Sequence, residues 1–397
     1  MKLSVRRTHR SPRAQDIEVV ERKGLGHPDT ICDAVSEHVS VALTRYYLEH
    51  FGRILHHNVD KVLLCGGATR VAFGDGEILA PMEIYIGGRA SHQHDGHTIP
   101  VHEIAVDACR DWIRGHLKWV SLERGLNVFS KLRPGAENLT HMVDRAGPII
   151  RANDTSCGVG FSPFSDLECV VLAIEERLNS PEIKSSYPAI GTDIKVMGIR
   201  QGHCIDLTIG CAFIGPLLRD MSEYSAHTDV VRQIASEVVQ SLTGLEANII
   251  VNAADNPREG DVFLTLTGTS AESGDDGETG RGNRVCGLIT PCRPMTIEAS
   301  AGKNPASHVG KLYPLVAHRV AERITTTIPN VTDATCMIVS QIGQDIANPQ
   351  IVVIDVALPD PASIETIASR AEVLIKDEFH HLDELRKAML REEVRLF

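Results

Sequence analysis

Short apolar runs and longer amphipathic segments alternate along the whole chain. In VDKVLLCGG, APMEIYIGG, HCIDLTIGCAFIG, ANIIVNAA, DVFLTLTG, ATCMIVSQI and PQIVVIDVAL, β-branched residues cluster in short runs ended by Gly or Asp, which predicts strands. Helices are predicted over 29–50, 101–119, 165–179, 226–242, 307–327 and 363–391. In the first of these, Ala34, Val35, Val39, Ala42, Leu43 and Tyr46 share one helical face. Turn-rich stretches at 131–148 and 180–191 separate segments, and a long loop rich in Gly and Asp spans 268–283. The pattern is mixed α and β.

With 397 residues, a prior of about 150 residues per domain gives two or three domains. No exact repeat is visible, though three αβ segments of similar size fit the length, with approximate boundaries 1–140, 141–265 and 266–397 and interleaving in sequence. A 43% apolar and 23% charged composition is that of a folded globular protein. The net charge of -12 argues against general affinity for nucleic acid or anionic lipid, so any phosphate chemistry has to rest on local positive groups. The basic start MKLSVRRTHRSPR precedes no apolar stretch of signal length, and no run of 18 apolar residues occurs, which predicts a cytoplasmic protein with no membrane partner. Ten scattered cysteines without a CxxC pair suggest neither a zinc ribbon nor a disulfide framework.

Four glycine-bearing turns carry candidate chemistry. In GLGHPDTICDAV, two glycines lead through His27 to Pro28, which suits a helix start. Free backbone donors and the positive helix end suit a phosphate there, with Asp29 available to a metal bridging it; a capped helix start with an exposed histidine is the plain alternative. GTSAESGDDGETGRGNR pairs Asp275 and Asp276, suited to magnesium, with Arg281 and Arg284, suited to phosphate oxygens; a solvated hairpin loop would look the same. SAGKNPASHVGK sets Lys303 and Lys311 before and at the opening of a helix but lacks the P-loop spacing. RANDTSCGVGFSP carries Asp154 and lacks the dinucleotide-binding spacing. His92, His94, His97 and His102 crowd SHQHDGHTIPVH without a helical metal spacing and read as a solvated loop; His56 and His57 read as structural.

Together with GTDIKVMG, these blocks resemble in order and spacing the S-adenosylmethionine synthetases, in the branch typical of archaea, from about residue 16 to near the C-terminus. The resemblance implies an α+β subunit of three domains with pseudo-threefold symmetry, whose flat sheets pair into a homodimer with active sites at the interface, and possible pairing of dimers into tetramers. It implies ATP and L-methionine as substrates and Mg2+ as cofactor. It makes His27 the catalytic histidine near C5′ and the triphosphate, Asp29 a magnesium ligand with Asp275 and Asp276 beside it, and Asp275 an active-site acid. Arg281 matches a triphosphate-contacting arginine, Lys303 a phosphate-contacting lysine, Asp154 an acid near methionine and nucleoside, and Lys195 a further active-site lysine. Asn283, Arg284 and Lys311 join the phosphate set. Where the other branch has a lysine after the arginine this chain has Gly282, so Arg284 is expected to supply the charge. A nucleotide-contacting segment is expected near 133–139, with Gly135 and Asn138. No K+ ligands can be matched.

The thioether of methionine is a soft nucleophile that needs no deprotonation, so the absence of a Ser–His or Cys–His pair fits. Two other readings stay open from the residues alone: a polyphosphate hydrolase, and a silent paralogue that binds nucleotide.

Overall fold

The computed structural model describes residues 1–8, 11–136, 150–359 and 364–397. Three sheets, each with helices on one face, divide the described chain into three αβ units. The N-terminal sheet runs Gly277–Glu278, His57–Cys65, Met82–Ala90, Leu126–Ser130 and carries α1 (Pro28–Phe51) and α2 (Val101–His116). The central sheet runs Ile17–Lys23, Ile190–Gln201, Cys204–Ile214, Glu246–Val251, under α3 (Asp166–Leu178) and α5 (Met221–Leu242), with α4 (Pro181–Ser186) leading into it. The C-terminal sheet runs Cys157–Ser162, Asp333–Val339, Ile351–Ala357, Lys2–Arg7, under α6 (Val309–Thr327) and α7 (Ile364–His380); α8 (Leu382–Leu390) follows.

The three sheets share one pairing scheme. In each, the first and second neighbouring pairs are antiparallel and the third is parallel. Each unit also borrows an edge strand from a distant part of the chain: Lys2–Arg7 lies beside Ile351–Ala357, and Ile17–Lys23 beside Ile190–Gln201.

Period-2 alternation explains the one-sided packing, since inward positions are apolar and outward ones mixed. Ile31, Val35, Val39 and Leu43 of α1 bury against Val62, Leu64, Ile84 and Ile86. Val170, Val171 and Ile174 of α3 cover Ile194, Val196 and Leu207, and Val316, Val320 and Ile324 of α6 cover Ile338, Val352 and Ile354. The opposite faces of the first two sheets leave Leu63, Ile199 and Ile250 exposed.

Several predicted boundaries move for local reasons. The helix expected from 226 begins at Met221, where Asp220 caps it by accepting from the Glu223 N–H at 3.0 Å. The stretch expected as turns after Ser180 contains α4, capped by Ser180 and started by Pro181. The long C-terminal helix is two helices parted at His381. Of DVFLTLTG only Leu264–Thr265 pairs as a strand. The His-rich stretch folds into a tight pair of two-residue strands, Gln93–His94 and His97–Thr98, in which His94 faces Asp95.

Helix α6 crosses the strand Cys157–Ser162 at a separation that only glycine permits. A Cβ at Gly160 would lie 2.1 Å from the His318 nitrogen. Gly160→Ala is therefore expected to destabilise the protein by about 1–3 kcal/mol, read as a lowered urea midpoint. Gly115→Ala in α2, with open space around it, should leave the midpoint unchanged or raise it.

Candidate active site

The N-terminal half of α1 is buried on every face, polar residues included. Asp29, Asp33 and Glu37 recur every four residues, so they form one stripe along the helix. Each of them accepts a hydrogen bond from the backbone of a glycine-bearing loop. Asp29 Oδ1 takes the Glu278 N–H at 2.9 Å, Asp33 Oδ1 the Gly280 N–H at 2.8 Å, and Glu37 Oε2 the Gly302 N–H at 2.9 Å. Two loops predicted from sequence to handle phosphate are thus anchored side by side on one helix.

His27 caps that helix. Its Nδ1 accepts the Asp29 N–H at 3.1 Å, which leaves Nε2 to carry the proton of the neutral ring and to act as a donor. Burial lowers the His27 pKa, while the charges of Asp193, Asp29 and Asp275 oppose that shift. Asp193 is buried, and its Oδ2 accepts from both the Ser270 N–H (2.9 Å) and the Ser270 hydroxyl (2.7 Å). The same hydroxyl lies 2.9 Å from Asp275 Oδ2. Burial raises the Asp193 pKa against the pull of His27. Lys23 completes the group by donating to Asp29 Oδ2 at 2.8 Å and to the Arg281 carbonyl at 2.9 Å.

The structure thus brings together His27, Asp29 and Asp275, with Arg281 on the adjoining turn. Arg281 is exposed, and its guanidinium forms no hydrogen bond or ion pair among the described residues. Asp276 accepts from the Gly66 N–H at 2.8 Å and stays exposed. Other predicted residues build the walls. Asn283 is buried and clasps the Lys23 backbone in both directions, at 3.0 and 2.8 Å. Arg284 turns inward to the Gly280 and Gly282 carbonyls, at 2.6 and 2.8 Å. Lys303 is sealed between Asp60 and Glu298, and Lys311 against both oxygens of Glu37 at 2.7 and 2.6 Å. Burial lowers the Lys311 pKa, with Glu37 opposing.

Lys195 stands on the strand beside Lys23 and pairs with Glu21 at 3.4 Å. Asp154 lies in the C-terminal unit, exposed, accepting from the Thr155 N–H. Gly135 follows the edge of the N-terminal sheet, and Asn138 falls outside the described residues. Lys195, Asp154 and Gly135 make no hydrogen bond or ion pair with His27 among the described residues. Lys23, Asp33, Asp193 and Ser270 belong to the site without having stood out in the sequence. Lys23 precedes GLGHPD directly and Asp193 stands two residues before Lys195, so nearness to the motifs was the available signal.

A family model for S-adenosylmethionine synthetase (AdoMet synthetase) matches residues 2–393. The chain belongs to that family. A probable S-adenosylmethionine synthase of Aquifex aeolicus is 44% identical over 382 residues, covering 96% of this chain and 95% of the relative. The S-adenosylmethionine synthase of Pyrococcus furiosus is 42% identical, with 96% of each covered, and most such relatives are archaeal. Among solved structures, an unusual S-adenosylmethionine synthetase from Campylobacter jejuni shares the fold with a TM-score of 0.59 at 14% identity, covering 92% of this chain and 89% of that one. The protein is an enzyme with S-adenosylmethionine synthase activity, and the stripe on α1 is where this member of the family assembles its loops.

Asp33 gives that assembly a pH signature. Burial pushes its pKa up to about 7 against the pull of the Gly280 N–H and Arg284. A carboxyl whose folded pKa exceeds its unfolded value contributes stability below the unfolded value, and loses it as pH rises through the folded one. Replacing it with a neutral amide removes that loss, so Asp33→Asn should gain stability over the native protein between pH 5 and 8. The gain is on the order of 4 kcal/mol at most, and paired thermal melts across that range measure it.

Proposed function

We propose that the group at the start of α1 binds the triphosphate of ATP as the leaving group of an alkyl transfer to L-methionine. The observation that carries this reading is the convergence of His27, Lys23, Asp29 and Asp275 at one helix N-terminus beside the Arg281 guanidinium, which is unpartnered among the described residues. A helix N-terminus favours anions, and the His27 Nε2–H, Lys23 and Arg281 add donors of the right charge.

The methionine sulfur attacks C5′ as the C5′–O bond breaks. The electron pair leaves on the triphosphate oxygen, and no proton needs to move. The protein's part is to hold sulfur, C5′ and oxygen in line and to stabilise the developing negative charge with donors fixed in advance. The released triphosphate is then hydrolysed to pyrophosphate and phosphate in the same cradle.

Asp29, Asp275 and Asp276 offer hard oxygen donors beside the phosphate position, while no group of three or more His, Cys, Asp or Glu converges as a preformed cage among the described residues. That suits Mg2+, which keeps several waters and is held by one or two carboxylates together with substrate phosphates. When bound, Mg2+ would neutralise phosphate charge. Asn283, Arg284, Lys303 and Lys311 support the walls from behind, and Lys195 lines the approach along its strand.

The shared pairing scheme supports pseudo-threefold symmetry of three units, near the boundaries 1–140, 141–265 and 266–397, with edge strands exchanged between them: one in each of the first two units and both, Lys2–Arg7 and Cys157–Ser162, in the third. The exposed Leu63, Ile199 and Ile250 support pairing of sheet faces in a cytoplasmic homodimer. In that dimer Asp154 of one protomer serves the methionine end of the site built by its partner.

Incubation with ATP, L-methionine and magnesium should yield S-adenosylmethionine by mass spectrometry, with phosphate release that depends on methionine. Full-rate phosphate release without methionine would replace this reading with a hydrolase. His27→Ala and Arg281→Ala should each lower kcat roughly 100- to 1000-fold, as loss of one preorganised charge-stabilising donor does.

A further inference from the structure

The Arg281 guanidinium has no partner among the described residues, so its position depends on the backbone that carries it. That backbone, the 280–282 turn, is gripped from two sides. From below, Asp33 Oδ1 accepts the Gly280 N–H at 2.8 Å, and Asp33 Oδ2 packs under Gly282, only 2.7 Å from where a Cβ would stand. From the other side Arg284 donates to the Gly280 and Gly282 carbonyls. Lys23 then draws the Arg281 carbonyl toward Asp29.

Asp33 is a costly residue to keep. It is buried, and among the described residues its Oδ2 has no hydrogen-bond partner, although a small cavity of about 30 Å³, lined also by Thr290, Phe161 and His318, lies against it. The Thr290 hydroxyl in that cavity is unpartnered among the described residues as well. A buried carboxyl left half satisfied destabilises a fold. Among the described residues its single side-chain hydrogen bond goes to the turn that bears Arg281.

We propose that Asp33 is a positioning residue for the reaction: it fixes the 280–282 turn from beneath and so sets where Arg281 meets the leaving triphosphate. This rests on the assignment of Arg281 under Proposed function. Asp33 touches no substrate in this scheme and acts only through the arginine. An oxygen acceptor at position 33 is what the turn requires, and an asparagine retains one.

A double-mutant cycle on the full chain tests it, with kcat and KM measured for the native enzyme, Asp33→Ala, Asp33→Asn, Arg281→Ala and the pair Asp33→Ala/Arg281→Ala. Asp33→Ala should lower kcat roughly 10- to 100-fold, the effect of a small misplacement of a catalytic group, and leave KM for methionine where it was. Asp33→Asn should restore most of the lost rate, and the double variant should be no slower than Arg281→Ala alone. Losses that multiply in the double variant, or an Asp33→Asn enzyme as slow as Asp33→Ala, would overturn the proposal alone. Undiminished kcat in Arg281→Ala would remove the assignment of Arg281 and this proposal together. Should Asp33→Ala fail to fold, Arg284→Gln, which frees the carbonyls of the same turn, takes its place in the cycle: a pair with Arg281→Ala no slower than Arg281→Ala alone is expected, and losses that multiply would overturn the proposal.

Discussion

The stripe of carboxylates on α1 is the constraint from which the site follows. Three acidic side chains at four-residue spacing lie inside the protein, where an unpaired charge is costly; backbone N–H groups of the approaching loops bond all three, and lysines complete Asp29 and Glu37, while Asp33 keeps one oxygen unmatched among the described residues. Glycine is needed in those loops because the backbone has to come within hydrogen-bond reach of a helix. The helix therefore templates the loops, and removing the acceptor oxygen at any one of the three positions would release one segment of the cradle.

Templating also fixes the electrostatics at the helix start. The Asp29 N–H that closes the cap commits His27 Nδ1 as an acceptor, so the imidazole presents a donor outward without carrying a charge. Asp193 and Asp275 flank it through Ser270, and Lys23 links Asp29 to the arginine turn. Cationic donors and carboxylates alternate around one point. Such alternation suits a metal-bound polyphosphate, whose charge is neutralised partly by protein and partly by its ion. It gives little purchase to extended nucleic acid, in keeping with the net charge of -12.

The fold class, the helix faces and the two loops richest in glycine were legible because they depend on local periodicity and turn chemistry. In α1 the predicted apolar residues belong to the core of the N-terminal unit, with Ala42 and Tyr46 at its margin. What stayed hidden depends on partners far along the chain. Lys303 and Lys311 look like free cations in SAGKNPASHVGK, but Asp60 and Glu37, more than two hundred residues away, seal them. Asn283 and Arg284 sit in a polar loop and still turn inward, because the turn's own carbonyls and the Lys23 backbone need donors. Asp193 escaped for another reason: the register of its strand shifts between Ile190 and Ile194, so the alternation that exposes Lys195 does not reveal which way Asp193 points. Asp33 resembled one more polar position on a helix until its partner across 247 residues was known.

The central claim is that the loops anchored on α1 form one triphosphate site at the His27 end of that helix. A crystal structure of the protein with magnesium and a non-hydrolysable ATP analogue tests it most directly. The polyphosphate is expected within hydrogen-bond reach of His27 Nε2, Lys23 and Arg281, with the α1 stripe and its glycine loops unmoved. Polyphosphate bound away from the start of α1, or loops detached from Asp33 and Glu37 in the complex, would contradict it.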